Sequence, residues 1–297
     1  MENKDKNQLF AFFLALMVIA IWGETFVSSK ILLEKGLRPA DILLFRFVIA
    51  YIGMWLISPK KLWADSIRDE LSFAAMGLFG VTLYFLSENT ALQYSTASNV
   101  AILVACTPFV TSLMLSIFYK DERMTARQIG GSVLAFAGLV LVVLNGELVL
   151  KLNPLGDILA FCASISWGFY SLFFKIISPK YSSSFLTRKV FAYGLLTIVP
   201  YFMKNGWPSV PHEVMTQPLV YGTVLYLGIV ASLVCYLCWN LTLKKLGTVR
   251  ATNILYLQSF FTMLFGYLIL DEKITLMAFI GALLLIFGTA NATVSKS

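Results

Sequence analysis

The sequence predicts an all-α integral membrane protein: ten transmembrane helices forming two inverted five-helix repeats, with both termini cytoplasmic. Three observations predict it. The 297-residue chain is 58% hydrophobic and 13% charged, whereas a soluble domain carries roughly 25% charged residues. Its apolar residues gather into ten runs of membrane-crossing length. Features of the first half also recur, in the same order, in the second.

The runs lie at residues 10–29, 41–57, 71–92, 98–119, 128–144, 156–177, 185–203, 219–243, 251–270 and 277–294. A crossing helix needs about 20 apolar residues, so ten spans leave no room for a sizeable soluble domain. The breaks carry turn and charge signals: Pro39, Pro59-Lys60-Lys61, Asp121-Glu122-Arg123, Asn153-Pro154, Pro179-Lys180, the Pro208–Pro211 stretch, Lys244 to Gly247 and Asp271-Glu272-Lys273. Lys4 and Lys6 precede the first run as they would in a signal peptide. That run is long, however, lacks a small-residue cleavage pattern and has a mid-chain counterpart, so it is expected to be a retained helix.

With the N-terminus placed in the cytoplasm, sixteen Lys and Arg residues fall on that side and six on the other, Arg46 lying within a span. The bias sets both termini inside and requires an even number of spans. The net charge of +7 sits in short breaks rather than on one basic face. The chain's partners are therefore membrane lipid and a small molecule, with no nucleic acid. Cys106, Cys162, Cys235 and Cys238 all lie in apolar runs as small packing residues, and a lone CxxC is a weak metal signal, so no metal is expected.

The internal repeat divides the chain at 1–147 and 148–297. Trp22-Gly23 and Lys30-Ile31 match Trp167-Gly168 and Lys175-Ile176. Arg46 with Ala50-Tyr51 matches Arg188 with Ala192-Tyr193. Asp121-Glu122, Thr125, Gly131 and Gly138 match Asp271-Glu272, Thr275, Gly281 and Gly288. Five spans is an odd number, so the second half enters from the opposite side, an architecture of secondary transporters with the site near the midplane. Gly130, Gly131, Gly138, Gly281 and Gly288 read as a close-packing seam between halves or as a dimer face, leaving monomer and homodimer both open. The Asp-Glu pairs read as helix caps.

Trp22-Gly23, Arg46-Phe47, Ala91-Leu92-Gln93-Tyr94, the Pro108 run and Asp121-Glu122 before a Gly-rich run resemble the ten-helix EamA-type members of the drug/metabolite transporter superfamily. So do Trp167-Gly168, Leu243-Lys244-Lys245-Leu246-Gly247 and Asp271-Glu272. The family often has a proline in the ninth helix matching Pro108; here that position is Ser259, beside Gln258. The resemblance implies a multi-pass carrier of the bacterial inner membrane, commonly an exporter of amino acids or related metabolites. Other branches carry nucleotide sugars or sugar phosphates.

Ionisable groups inside spans are costly and usually face a cavity. Glu24, with Ser28 one turn on, and Glu88, with Tyr84 one turn before, are the candidate coupling carboxylates, since a carboxyl in such a setting can take up and release a proton. Each can equally be a structural partner of Lys30, Arg46 or a helix end. Arg46 suits attraction of a substrate carboxylate or phosphate, or pairing with Glu24 or Glu88. Arg188 reads as an interfacial anchor, and Lys30 and Lys175 as snorkelling residues. Tyr236 and Asn240 share a face of the eighth run; Asn253 and Tyr256 share one of the ninth, with Gln258 nearby. Trp22, Trp167, Tyr170 and Trp239 can wall an organic ligand or simply pack. The expected substrate cavity is Trp22, Glu24, Arg46, Tyr84, Glu88, Trp167, Tyr170, Tyr236, Asn240, Tyr256 and Gln258.

The expected function is a secondary transporter exporting small polar metabolites such as amino acids by alternating access, with proton coupling through Glu88 or Glu24 and no cofactor. There is no GxxxxGK[ST] motif for ATP. The single histidine, His212, rules out a two-histidine site and weighs against a Ser-His pair, so an intramembrane enzyme is a distant alternative. The nearer one is a nucleotide-sugar or sugar-phosphate exchanger, which would need two or more cavity cations.

Overall fold

The computed structural model describes residues 2–59, 61–95, 100, 103–120, 123–144, 153–261, 264 and 275–293; among them the regular structure is all helical. The helices are α1 (Glu2–Glu34), α2 (Pro39–Ile57), α3 (Ile67–Tyr94), α4 (Thr107–Phe118), α5 (Ala126–Leu144), α6 (Pro154–Ile177), α7 (Ser183–Thr197), α8 (Val199–Asn205), α9 (His212–Met215), α10 (Pro218–Leu246), α11 (Thr248–Asn253) and α12 (Leu276–Ala292). Five of them are long and apolar enough to cross a membrane: α1 from Gln8, α2, α3, α6 and α10. Thr107–Phe118, Ala126–Val142 and Leu276–Ala292 are shorter apolar helices. The chain is a multi-pass membrane protein.

Proline and π geometry divide the expected runs. The seventh run breaks at Ile198, because Pro200 in the first turn of α8 cannot donate to a continuing helix. The fourth breaks at Ala105-Cys106, ahead of Pro108. Lacking an N–H, Pro108 leaves the Val104 carbonyl free; the Thr107 hydroxyl donates to it at 2.5 Å and the Ser164 hydroxyl lies 3.2 Å away. The ninth run has no proline, yet passes from α11 through a 3₁₀ turn at Ile254–Leu257. α3 and α10 each contain a π-helical stretch, Leu78–Leu83 and Tyr226–Val234.

The glycine seam is internal. α5 and α12 pack backbone to backbone: a methyl group on Gly138 would lie 2.4 Å from Leu285 N, and one on Gly288 2.2 Å from Ala135 N. Gly130 lies off the seam, with nothing within 4 Å of an added methyl. Gly288→Ala is therefore expected to lower detergent thermal stability, by about 1–3 kcal/mol for an overpacked site. Gly130→Ala should hold or raise it, alanine being about 1 kcal/mol the better helix former. Equal melting temperatures for the two purified variants would refute this packing.

The Asp-Glu pairs at 121–122 and 271–272, with Lys60, lie outside the described residues. Threonines cap the helices that follow those pairs: Thr125 and Gln128 form a reciprocal box at 3.2 and 2.9 Å, and Thr275 accepts from Ala278 N at 3.2 Å. Lys30 donates to the Leu92 carbonyl at 2.9 Å. Arg188 donates to Ser58 O and lies over the Trp55 ring at 4.7 Å.

Where α2 ends and α3 begins, a polar cluster ties that turn to α7. Lys180 and Tyr181 bond Asp69 at 2.7 and 2.8 Å. Lys189 lies 2.7 Å from Glu70, which also accepts from Tyr193 at 2.5 Å and Ala64 N at 2.6 Å. Burial pushes the Tyr181 phenol up to about 12, so it stays a donor to Asp69. The Lys61 ammonium, bonded at 2.5 Å, holds Asp65 below the ordinary carboxylate range. Beside the cluster, Tyr181 and Phe185 stack at 5.3 Å and Phe73 meets both edge-on, at 5.3 and 5.7 Å.

Candidate functional site

A cavity of about 690 Å³, its open mouth included, lies among α1, α2, α3, α6, α10, the Pro108 break and the 3₁₀ turn. Helical spacing places its wall. Trp22, Thr25 and Phe26 share one face of α1 at i, i+3 and i+4, and Tyr84 and Glu88 share one face of α3. Arg46 comes from α2, Trp167 from α6 and Tyr236 from α10; Leu255 comes from the 3₁₀ turn after α11, and Gln258 and Ser259 from the helical residues that follow it. The structure thus brings seven expected residues together: Trp22, Arg46, Tyr84, Glu88, Trp167, Tyr236 and Gln258.

The wall is largely aromatic. Trp22 meets Trp167 and Tyr236 edge-on at 5.8 and 5.7 Å, and Trp167 meets Tyr84 at 5.1 Å. Such contacts contribute about 0.5–1.5 kcal/mol each beyond burial, enough to hold a preformed box. Two hydrogen bonds fix it to the π segments: Trp22 Nε1 donates to Ala231 O at 2.9 Å, and Tyr236 Oη to Gly80 O at 2.8 Å. Ser166 donates to the neighbouring Phe79 carbonyl at 2.7 Å. The π stretches thus anchor the walls, the functional setting in which such irregular turns commonly occur.

The charged groups sit against this box. Arg46 is 2% exposed. Its Nε donates to Ser232 at 2.9 Å, and its guanidinium lies 4.3 Å from the Phe85 ring centroid. No carboxylate forms an ion pair with Arg46 among the described residues. Glu88 is buried, faces Tyr84 and feels the Arg46 charge. Gln258 donates to the Trp22 carbonyl at 3.2 Å. A guanidinium, a carboxylate and an aromatic wall in one cavity can hold the two ends and the apolar body of a small zwitterion.

Four expected residues lie off the wall. Tyr170 donates to Asn240 at 2.6 Å beside Trp167, and Asn240 donates onward to Thr187 at 2.8 Å; both are fully buried and engaged within the protein. Tyr256 is buried on the 3₁₀ turn. Glu24 points to the opposite face of α1 from Trp22. Sequence reasoning passed over Thr25, Phe26 and Phe85, although the spacing from Trp22 and the residue beside Tyr84 offered a signal. It passed over Thr107, Pro108 and Ser259 as cavity residues: Pro108 signals a break but not the cavity that the break faces, and the 3₁₀ turn ahead of Ser259 has no proline to signal it.

The model of the EamA-like transporter family matches the chain at residues 9–144 and again at 154–293. The chain is 28% identical over 287 residues to an uncharacterized transporter of Archaeoglobus fulgidus, covering 95% of this chain and 97% of the relative. It is 26% identical to a probable amino-acid metabolite efflux pump of Escherichia coli K12, covering 93% of this chain and 92% of that one. A solved crystal structure superposes with TM-score 0.74 at 17% identity, covering 95% and 97%; that likeness concerns the fold alone.

Proposed function

The chain belongs to the EamA-like transporter family, and from that premise we propose that it is a secondary carrier exporting small polar metabolites, amino acids foremost, across the bacterial inner membrane. Ten spans in two inverted halves, with both termini cytoplasmic, supply the two exchanged conformations that alternating access needs. The paired match to the family model and the matched π stretches of α3 and α10 support that reading. On the same orientation, the Asp69–Glu70 cluster closes the cytoplasmic end.

One observation carries the substrate class: the cavity holds Arg46 as its one cation among the described residues, with Glu88 as its one carboxylate. Arg46 takes the substrate carboxylate, Glu88 its amine, and Trp22, Trp167, Tyr84 and Tyr236 its side chain. A sugar phosphate or nucleotide sugar would call for a second cation. The Escherichia coli relative, a probable amino-acid metabolite efflux pump, points the same way.

A thermal-shift panel on the purified protein tests this, with amino acids, nucleobases, nucleotide sugars and sugar phosphates as competitors. Ligand at 100 times its Kd stabilises the bound state by about 2.7 kcal/mol, so amino acids should raise the melting temperature and phosphorylated compounds should not. The reverse pattern would make the protein an anion exchanger.

A further inference from the structure

We propose that the coupling proton binds Glu24, at a site separated from the substrate cavity by the thickness of α1. The inference rests on the transport reading above. Trp22, Thr25 and Phe26 commit one face of α1 to the cavity. Glu24 follows Trp22 by two residues, about 200° around a helix of 3.6 residues per turn, and so stands on the far face. There α10 covers it: the Tyr226 hydroxyl lies against the Glu24 carboxyl and donates to Ile21 O at 3.4 Å. Ser28 donates to Glu24 Oε1 at 2.6 Å. Glu24 Oε2 is buried and makes no well-formed hydrogen bond, although the Tyr226 hydroxyl is a donor standing against the carboxyl.

A buried carboxylate with so little compensation is costly in a span, and a proton on Oε2 removes its charge. The charged and titratable groups around it are few. Tyr226 faces it from α10, and Cys235 of α10 and Arg46 of α2 act on Tyr226. Lys30, on the same helix, is engaged at Leu92 O. No cation forms an ion pair with Glu24 among the described residues.

The position also links the proton to the cargo. Tyr226 opens the π stretch of α10. That stretch holds Trp22 through Ala231 O and Arg46 through Ser232, both at 2.9 Å. Loading Glu24 acts on the seam that fixes two walls of the cavity, with no contact to the cargo. One proton joins Oε2 in one facing state and leaves from it in the other, while Glu88 stays with the substrate amine.

The full-length protein reconstituted in liposomes tests this by two readouts. Infrared difference spectra on a pH step report carboxyl protonation without any cargo. A trapped pH dye reports proton movement when an equimolar mixture of the common amino acids is supplied. Glu24→Gln should remove a titrating carboxyl band and abolish proton flux, leaving amino-acid affinity within about twofold, as expected for separate sites. Glu88→Gln should instead shift affinity and leave that band in place. Glu24→Asp, which keeps a carboxyl at the seam, should restore the flux. A Glu24→Gln protein that retains both band and proton flux overturns the assignment, as does coupling that follows a sodium gradient instead. If the wild type moves neither amino acids nor protons, the transport reading falls, while the band still decides whether Glu24 titrates.

Discussion

Arg46→Gln should abolish ligand stabilisation and transport while leaving the empty protein as stable as the wild type, or more stable. The two halves of that result have different causes. In the empty protein Arg46 is a buried charge with no ion-pair partner among the described residues. Its compensation is one hydrogen bond to Ser232, the rings of Phe85 and Phe47, and the more distant charge of Glu88, and a desolvated cation–π contact contributes about 2 kcal/mol. Burying an unpaired charge costs more than that, so a neutral amide relieves the protein. Binding moves the other way. Truncating one partner of a buried charge pair costs about 2–5 kcal/mol, which is about 30-fold to several-thousand-fold in Kd. Arg46→Lys keeps the charge but loses the planar fork, and should fall between. Ser232→Ala removes only the hydrogen bond to the guanidinium, about 1.5–3 kcal/mol for a bond to a charged group. Melting curves with and without amino acid, taken across these variants, separate the effects. An Arg46→Gln protein that melts lower yet still binds would make Arg46 a structural residue.

Much of this was legible in the sequence, for reasons that can be named. Glu88 and Arg46 stand out because ionisable residues are costly at the centre of an apolar run, Trp22 because it recurs as Trp167 in the second half, and each lines the cavity. Thr125 and Thr275 match at a constant offset, and both prove to be N-caps. What stayed hidden depends on contacts between runs. Leu78–Leu83 and Tyr226–Val234 read as ordinary helix, because the π geometry is held by carbonyl acceptors for Tyr236 and Trp22 brought from elsewhere. The shared glycines Gly80 and Gly228 were the available hint: a methyl on the first would lie 2.4 Å from Tyr170, on the second 2.8 Å from Ile49. Tyr170 and Asn240 have the residue types of a binding site, yet they are engaged with each other, and a single sequence does not reveal which polar residue finds a partner 70 positions away. Pro108 announced its break, whereas the 3₁₀ turn at Ile254–Leu257 has no proline to announce it.

The second large effect is expected at the opposite end of the bundle, where Glu70 is nearly buried and saturated. It accepts from Lys189, Tyr193 and Ala64 N, and Lys189 also reaches Leu62 O at 3.2 Å. Glu70→Ala removes the acceptor for all three and leaves Lys189 as an uncompensated buried cation. Breaking such a pair from one side costs about 3–5 kcal/mol, a large fraction of the usual 5–15 kcal/mol of a folded domain; little protein should survive detergent extraction. Glu70→Gln separates the terms, because its amide oxygen still accepts from a neighbour while the charge is gone, so it should cost distinctly less. Lys189→Met mirrors Glu70→Ala, and the double variant Glu70→Gln/Lys189→Met should recover part of the loss, since neither partner is then left charged. On the alternating-access reading this cluster and the Phe73, Tyr181 and Phe185 ring contacts must part each time the carrier opens at that end. Glu70→Gln should then also raise the labelling of a cysteine placed at Phe73 by an impermeant maleimide added from the cluster side. Lower stability with unchanged labelling would mark the cluster as a fixed brace, and would move the opening elsewhere along the interface between α3 and α7.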